Sequence, residues 1–341
     1  MAAIVTDSLR KEVGELLFDN STSGRFYIGI GKSDTYDSSD NTITPIRTKL
    51  EDRRARENLL SVRKVNNTSF VIPRYNWTSG TTYSAYADNY VGIPSNSYYV
   101  LNEDNEVYVC LQTGRTSTGA TNPSTVKPSY TAAGVAARQA FQTSDGYRWK
   151  LLYSLSAARA TTFLTSGFIP IQNVDSATAS GAFELEQLQI QNTTYKGGII
   201  GVRIVDGGAG YTGSTTPVTF SGNGTGASAT ATISGGAIVK VEMDNESGGQ
   251  GSGYDYASAV VTGDATLEPI IASQSGLGSD PLNELKASAV MFNVKNEGTE
   301  GNTHVIGQDF RQITLFKDMK LDDSAADGPF LKDQAYKVGR F

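Results

Sequence analysis

The chain has 341 residues, 38% hydrophobic and 19% charged, with 36 glycines, 17 tyrosines and a formal net charge of −6. That length allows two or three cores, and the acidic balance argues against a nucleic-acid backbone as partner, which needs a concentrated basic surface. The single cysteine, Cys110, excludes an internal disulfide and any metal site built on a cysteine pair.

Met1–Asp19 lacks the basic start and apolar block of a secretory signal. No apolar run approaches the roughly 20 residues that cross a bilayer. The chain is therefore expected in a cytosol-like compartment, leaving it only within an assembly. Thr6–Phe18 reads as a helix, capped by Thr6 or Asp7, with Leu9, Val13, Leu16 and Leu17 as its apolar stripe. Arg25–Ile30 alternates as a strand, and Ser33–Thr44 is a polar loop. Pro45–Lys64 is predicted as a second helix, its interleaved charges forming a solvated face or meeting an acidic partner. Thr68–Ile72 is a strand, and short Tyr-rich strands follow near Thr82–Tyr86, Tyr98–Leu101 and Glu106–Leu111. Thr113–Val126 is a long Gly/Ser/Thr/Pro-rich loop.

The clearest strand is Ser144–Leu155. Tyr147, Trp149, Leu151, Tyr153 and Leu155 alternate with Arg148, Lys150 and Ser154, and only Leu152 breaks the pattern. Period two after an Asp-Gly turn predicts a half-buried strand. Ala157–Leu164 is expected to give one or two helical turns.

The composition changes near Asp175. Between Gly197 and Ile271 two related units appear, about 40 residues apart. Ile199–Tyr211 heads the first unit, and the run from Ala237 to Tyr254 heads the second. Each ends a Gly-rich turn with a tyrosine. The stretch is expected to be an inserted all-β domain. Mixed character returns after Gly276, with strands predicted at Ala287–Val294 and Phe310–Phe316. Asp318–Phe341 has no periodicity and reads as a disordered tail or an arm that orders on a partner.

The fold class expected is mainly β with a few helices, a β-rich α+β chain: a discontinuous β-sandwich-like frame carrying an inserted Gly-rich all-β domain. The frame takes 1–174 and 277–317, the insert 175–276 and the tail 318–341. The Tyr147/Trp149/Leu151/Tyr153 face is expected to be the frame's core, built from both ends of the chain.

Gly208, Gly210 and Gly213 spell G-x-G-x-x-G, but Ser214–Pro217 and a strand follow where a dinucleotide site needs a helix. These glycines read as turn residues. His304, the sole histidine, lies in a polar Gly/Asn loop without a nucleophile motif. The Asp34, Asp37, Asp40 loop lacks calcium-loop spacing. Cys110 reads as a buried apolar residue. No catalytic, cofactor-binding or metal residue is nominated.

Four words occur in order: V-I-P-R-Y-N-W (Val71–Trp77), V-Y-V-C-L (Val107–Leu111), D-G-Y-R-W-K-L-L-Y (Asp145–Tyr153) and F-R-Q-I (Phe310–Ile313). With the N-terminal helix and F-Y-I-G-I-G-K-S, the pattern resembles the gene-eight baseplate wedge proteins of T-even-type contractile-tailed bacteriophages. The resemblance implies a non-enzymatic structural subunit of the virion, without cofactor or small-molecule substrate. It implies a homodimer that is assembled in host cytoplasm with other wedge proteins, contacting neither nucleic acid nor membrane. The subunit takes part in the baseplate rearrangement that precedes sheath contraction. The Gly-rich repeat and the tail depart from the family pattern. A glycan-binding module presenting Tyr211 and Tyr254 is the alternative reading, and a hydrolase of extracellular polymers a third.

Overall fold

The computed structural model describes residues 7–22, 26–31, 48–65, 67–87, 97–115, 120–129, 140–192, 194, 196–244, 249–272, 275–294 and 312–317. In chain order the elements begin with α1 (Asp7–Thr22), β1 (Phe26–Gly31), α2 (Lys49–Glu57), β2 (Leu59–Lys64) and β3 (Asn67–Pro73). Next come β4 (Tyr99–Leu101), β5 (Glu106–Gln112), β6 (Phe141–Gln142), β7 (Arg148–Ser154), α3 (Ala157–Phe163), β8 (Phe168–Ile171) and α4 (Ala182–Asn192). The Gly-rich region supplies β9 (Ile199–Asp206), β10 (Thr215–Gly222), β11 (Thr225–Ser234), β12 (Ala237–Met243), β13 (Gln250–Ser252), β14 (Ala257–Val260) and β15 (Thr266–Ile271). α5 (Pro281–Glu284), β16 (Ala289–Asn293) and β17 (Gln312–Lys317) complete the series. The fold is β-rich α+β, built from antiparallel sheets.

Two compact units divide the described chain, one from Val71 to Ser288 and one from Ser8–Phe70 with the segment from Ala289 onward. This differs from the expected 1–174, 175–276 and 277–317 partition. The Gly-rich strands fall in the same unit as the central sheet. Both ends of the chain do build one discontinuous unit, but its core is not the one around Trp149.

In the terminal unit, β1 lies between β17 and β2, with Ile28 opposite Leu315 and Arg63. Tyr27, Leu59, Val62 and Phe316 pack together on one face. Helix α1 lays Gly14 on the Phe70 ring, and Phe18 stacks on Phe70 at 5.0 Å and 21°. Of the expected inward stripe, Leu9, Val13 and Leu16 are exposed instead, and Leu17 is half-buried. The predicted helix Pro45–Lys64 stops at Glu57, and Leu59–Lys64 is a strand. Val62 and Leu59 bury themselves by pairing with β1, and that tertiary gain overrides the helical charge pattern.

In the other unit, the sheet order is β4-β5-β7-β6. Trp149 sits opposite Cys110 of β5 and Phe141 of β6. Its cluster includes Tyr83, Val100, Tyr108, Tyr147, Leu151 and Ile190, all from the middle of the chain. Strand β7 is buried on both sides, Arg148 and Lys150 included. Half-burial is therefore corrected to full burial. What covers Lys150 and Leu152 on the second side is the loop at Gly278, where a Cβ would meet both side chains.

The Gly-rich strands β9–β15 form an all-β region, as expected. Strand order β12-β11-β10-β14 makes the main sheet, and β15 pairs with β9. Small residues alternate inward along β11, and Val218, Ala229, Ala231, Ile238 and Val241 fill a thin core with Tyr254. Thr82–Tyr86, expected as a strand, runs as irregular chain beyond a single bridge between Thr81 and Ser124.

Candidate functional site

Strand β7 opens on an Asp-Gly turn in which Gly146 takes φ 88°, a conformation that needs no Cβ. The turn aims Asp145 at the loop before it. Its carboxylate accepts from Ser124 Oγ at 3.0 Å, from the backbone N–H of Thr125 at 2.7 Å and Val126 at 2.9 Å, and from Thr143 Oγ1. Burial raises the carboxyl pKa, but the bonds from Thr143, Val126, Thr125 and Ser124 outweigh it and hold it below the ordinary value. Trp77 adds an indole N–H to Ser124 Oγ at 3.1 Å. A carboxylate saturated by donors in this way is a clasp for residues 124–126. It is a poor general base, since its lone pairs are already committed.

The aromatic cluster behind the turn has the same structural character. Tyr147 stacks on Trp149 at 5.6 Å and 17°, and Tyr83 meets that ring edge-on at 5.6 Å and 69°. The Tyr147 hydroxyl donates to the Asn122 carbonyl at 2.7 Å. Cys110 is fully buried beneath these rings, and burial pushes its thiol pKa well up, so it is no nucleophile.

The glycines of the G-x-G-x-x-G run all have positive φ and connect β9 to β10, so they make a turn and no helix opens there. Gly208 N–H is held by Asp206 Oδ1 at 2.9 Å and Ala209 N–H by Asp264 Oδ1 at 3.0 Å. The two tyrosines that close the Gly-rich turns have parallel tasks. Tyr211 Oη accepts from Ala265 N–H at 3.0 Å, and Tyr254 Oη accepts from Ala227 N–H at 3.4 Å. Tyr254 is only 2% exposed, so its ring has no face to offer a sugar. His304, the Asp34/Asp37/Asp40 loop and the tail Asp318–Phe341 lie outside the described residues.

One charged pair was not legible from the alternation. Lys150 of β7 and Glu284 of α5 are both buried and attract one another. Burial pushes Lys150 down to about 8 and Glu284 up to about 7, in each case against the partner's charge. Glu284 accepts from Gly278 N–H with both oxygens, at 2.8 and 2.7 Å, and Tyr98 Oη donates to the Glu284 carbonyl at 2.9 Å. Glu284 thus fixes the Gly278 loop, and that loop lies against Lys150 of the central sheet. Leu152, the apolar residue on the charged side of β7, was the one signal in the sequence that this side is covered.

A cleft of about 750 Å³ opens between the irregular chain around Tyr86, the end of β5, and strands β9, β12 and β15. Its charges are engaged locally: Arg203 pairs with Glu268 across β9 and β15, and Lys240 with Glu242 along β12. No group of three His, Cys, Asp or Glu able to hold a metal occurs among the described residues. No helix among them is long and apolar enough to cross a membrane. Compared with known proteins, the chain matches no family model and no curated protein.

Proposed function

We propose that the chain is a non-catalytic structural subunit of a bacteriophage tail baseplate wedge. It acts as a homodimer that assembles with other wedge proteins and shifts with them before sheath contraction. The observation that carries this reading is the ordered set of four sequence words from Val71 to Ile313. Three of them overlap β3, β5 and β7, and the fourth ends in β17. A scaffold shared within a family is held by such strand residues, because their volumes and pairing register are the hardest to change. The donor-saturated Asp145, the buried thiol and the turn-bound tyrosines add support, since each polar group is spent on holding loops.

The test is sedimentation of the chain alone, followed by electron microscopy of the chain mixed with wedge proteins of a contractile phage. A dimer that enters wedge particles is expected. A strict monomer that never joins them sinks the reading.

A further inference from the structure

The cleft of about 750 Å³ beside β5 falls in the size range of small-ligand sites. One wall is the irregular chain at residues 83–86, laid along the end of β5. Tyr86 N–H donates to the Cys110 carbonyl at 2.7 Å, and Thr113 Oγ1 donates to the Tyr83 carbonyl at 3.0 Å. The two ties keep one antiparallel register, so Ser84 comes level with Gln112. Leu111, Val202 and Val241 are buried along the cleft and give it an aliphatic floor. The opposite rim carries Arg203 and Glu268, which pair across β9 and β15, and Lys240, which pairs with Glu242.

Ser84 and Gln112 differ from the rim. Both line the cleft, both are half-buried, and neither side chain makes a hydrogen bond among the described residues. Each can donate and accept, and neither carries charge. The rim charges are matched in pairs, so an incoming anion meets Glu268 along with Arg203, and an incoming cation meets Arg203 along with Glu268. A wholly apolar guest would strip water from Ser84 and Gln112 and return no bond, which costs more than a contact gains. The guest that suits both the floor and the wall is neutral, dense in hydroxyls and apolar on one face.

We propose that this cleft binds a neutral oligosaccharide, with Ser84 and Gln112 as its hydrogen-bonding pair and Leu111, Val202 and Val241 beneath the C–H face of a sugar ring. A sugar hydroxyl donates once and accepts twice, which matches side chains that do both. The Arg203–Glu268 pair adds donors and acceptors at the rim without net charge. The same wall argues against a peptide. Strand β5 is bonded by β7 on one side and by the 83–86 segment on the other, so it keeps no open edge for a peptide ladder here. Tyr254 supplies no stacking platform and keeps its hydroxyl on Ala227 N–H, so the ring rests on aliphatic side chains. The inference goes beyond the wedge reading and does not rest on it, so its test uses no wedge protein.

The test is calorimetric titration of the full chain with maltotriose, cellotriose and chitotriose, with the charged trimers of galacturonate and glucosamine, and with the neutral peptide Ac-Ala-Ser-Ala-NH2. At least one neutral trisaccharide is expected to bind about tenfold more tightly than the charged trimers and the peptide. Ser84→Ala and Gln112→Ala each weaken that sugar by up to about tenfold. A charged trimer that binds as tightly overturns the neutral assignment, and a peptide that does so overturns the sugar class. No binding by any of the three neutral sugars overturns the site, and full affinity in the Ser84→Ala/Gln112→Ala double variant overturns its location. Ser84→Ala gives a check independent of titration, because its hydroxyl makes no bond among the described residues. A melting temperature equal to the parent's supports the proposal, and a clear drop shows the hydroxyl engaged within the fold and overturns it.

Discussion

Trp149 fills the space between two tyrosine rings and the β5 strand, and rings held in stacked and edge-on contact cannot collapse into a hole the size of an indole. Trp149→Ala should therefore cost about 3–5 kcal/mol in chemical denaturation. Trp149→Phe should cost distinctly less, because the indole Nε1 has no hydrogen-bond partner among the described residues. An Ala variant as stable as the parent removes the aromatic cluster from the stability argument. Asp145 makes a second, pH-dependent prediction. Its pKa is depressed in the folded chain, so its contribution is fully present above the unfolded value and disappears as pH falls through the folded one. The window lies below about pH 4. Asp145→Asn turns one acceptor into a donor facing the Thr125 and Val126 N–H groups, at a cost of about 1–3 kcal/mol at neutral pH. Urea melts from neutral pH down to pH 3 should show parent and variant converging at the acid end. A constant difference between them assigns the Asp145 effect to packing rather than charge.

At the scale of elements, β7 and α5 carry the most testable electrostatics. Glu284 is raised to about 7, so the stability it contributes is full below its unfolded value and is lost as pH rises through about 7. Lys150 is lowered to about 8, so its contribution is full above its unfolded value and is lost as pH falls through about 8. The pair is therefore at its weakest between the two. Glu284→Gln should abolish the decline in stability on the acid side of neutrality, and Lys150→Met should cost several kcal/mol by leaving Glu284 buried alone. The double variant should recover most of that loss, as expected when a buried ion pair gives way to neutral groups. Stability curves against pH for the three variants are the measurement, and a parent slope persisting in Glu284→Gln rejects the assignment. The same elements mark what local sequence could tell. Alternation placed the Tyr147/Trp149/Leu151 side of β7 correctly, because period two is a property of the strand itself. It missed the burial of Lys150, because the cover comes from the Gly278 loop, distant in sequence. Helix α4 went unseen for a related reason: its inward residues include Gln187, so no apolar stripe marks it. Leu59–Lys64 was misread because Arg63 and Lys64 continue the charge run of α2, while the strand partner β1 lies on the far side of α2 in the sequence.

At the scale of the molecule, the chain passes between its two compact units at Phe70/Val71 and at Ser288/Ala289. Each unit has a core of its own: Tyr27, Leu59, Val62 and Phe316 in the terminal unit, and the Trp149 cluster with the thin Gly-rich core in the other. Separate cores imply separate cooperative transitions, and a single unfolding free energy is then not defined for the whole chain. Leu59→Ala should remove about 2–5 kcal/mol from one transition, and Trp149→Ala a comparable amount from the other. Because the two residues belong to different core clusters, the double variant should show the sum of the single effects, within about 0.5 kcal/mol. Differential scanning calorimetry resolves this directly. Two transitions, each moved by one variant and untouched by the other, are the expected result. One transition moved by both variants means the units unfold together, and the boundary at Phe70/Val71 is then a feature of geometry without a thermodynamic counterpart.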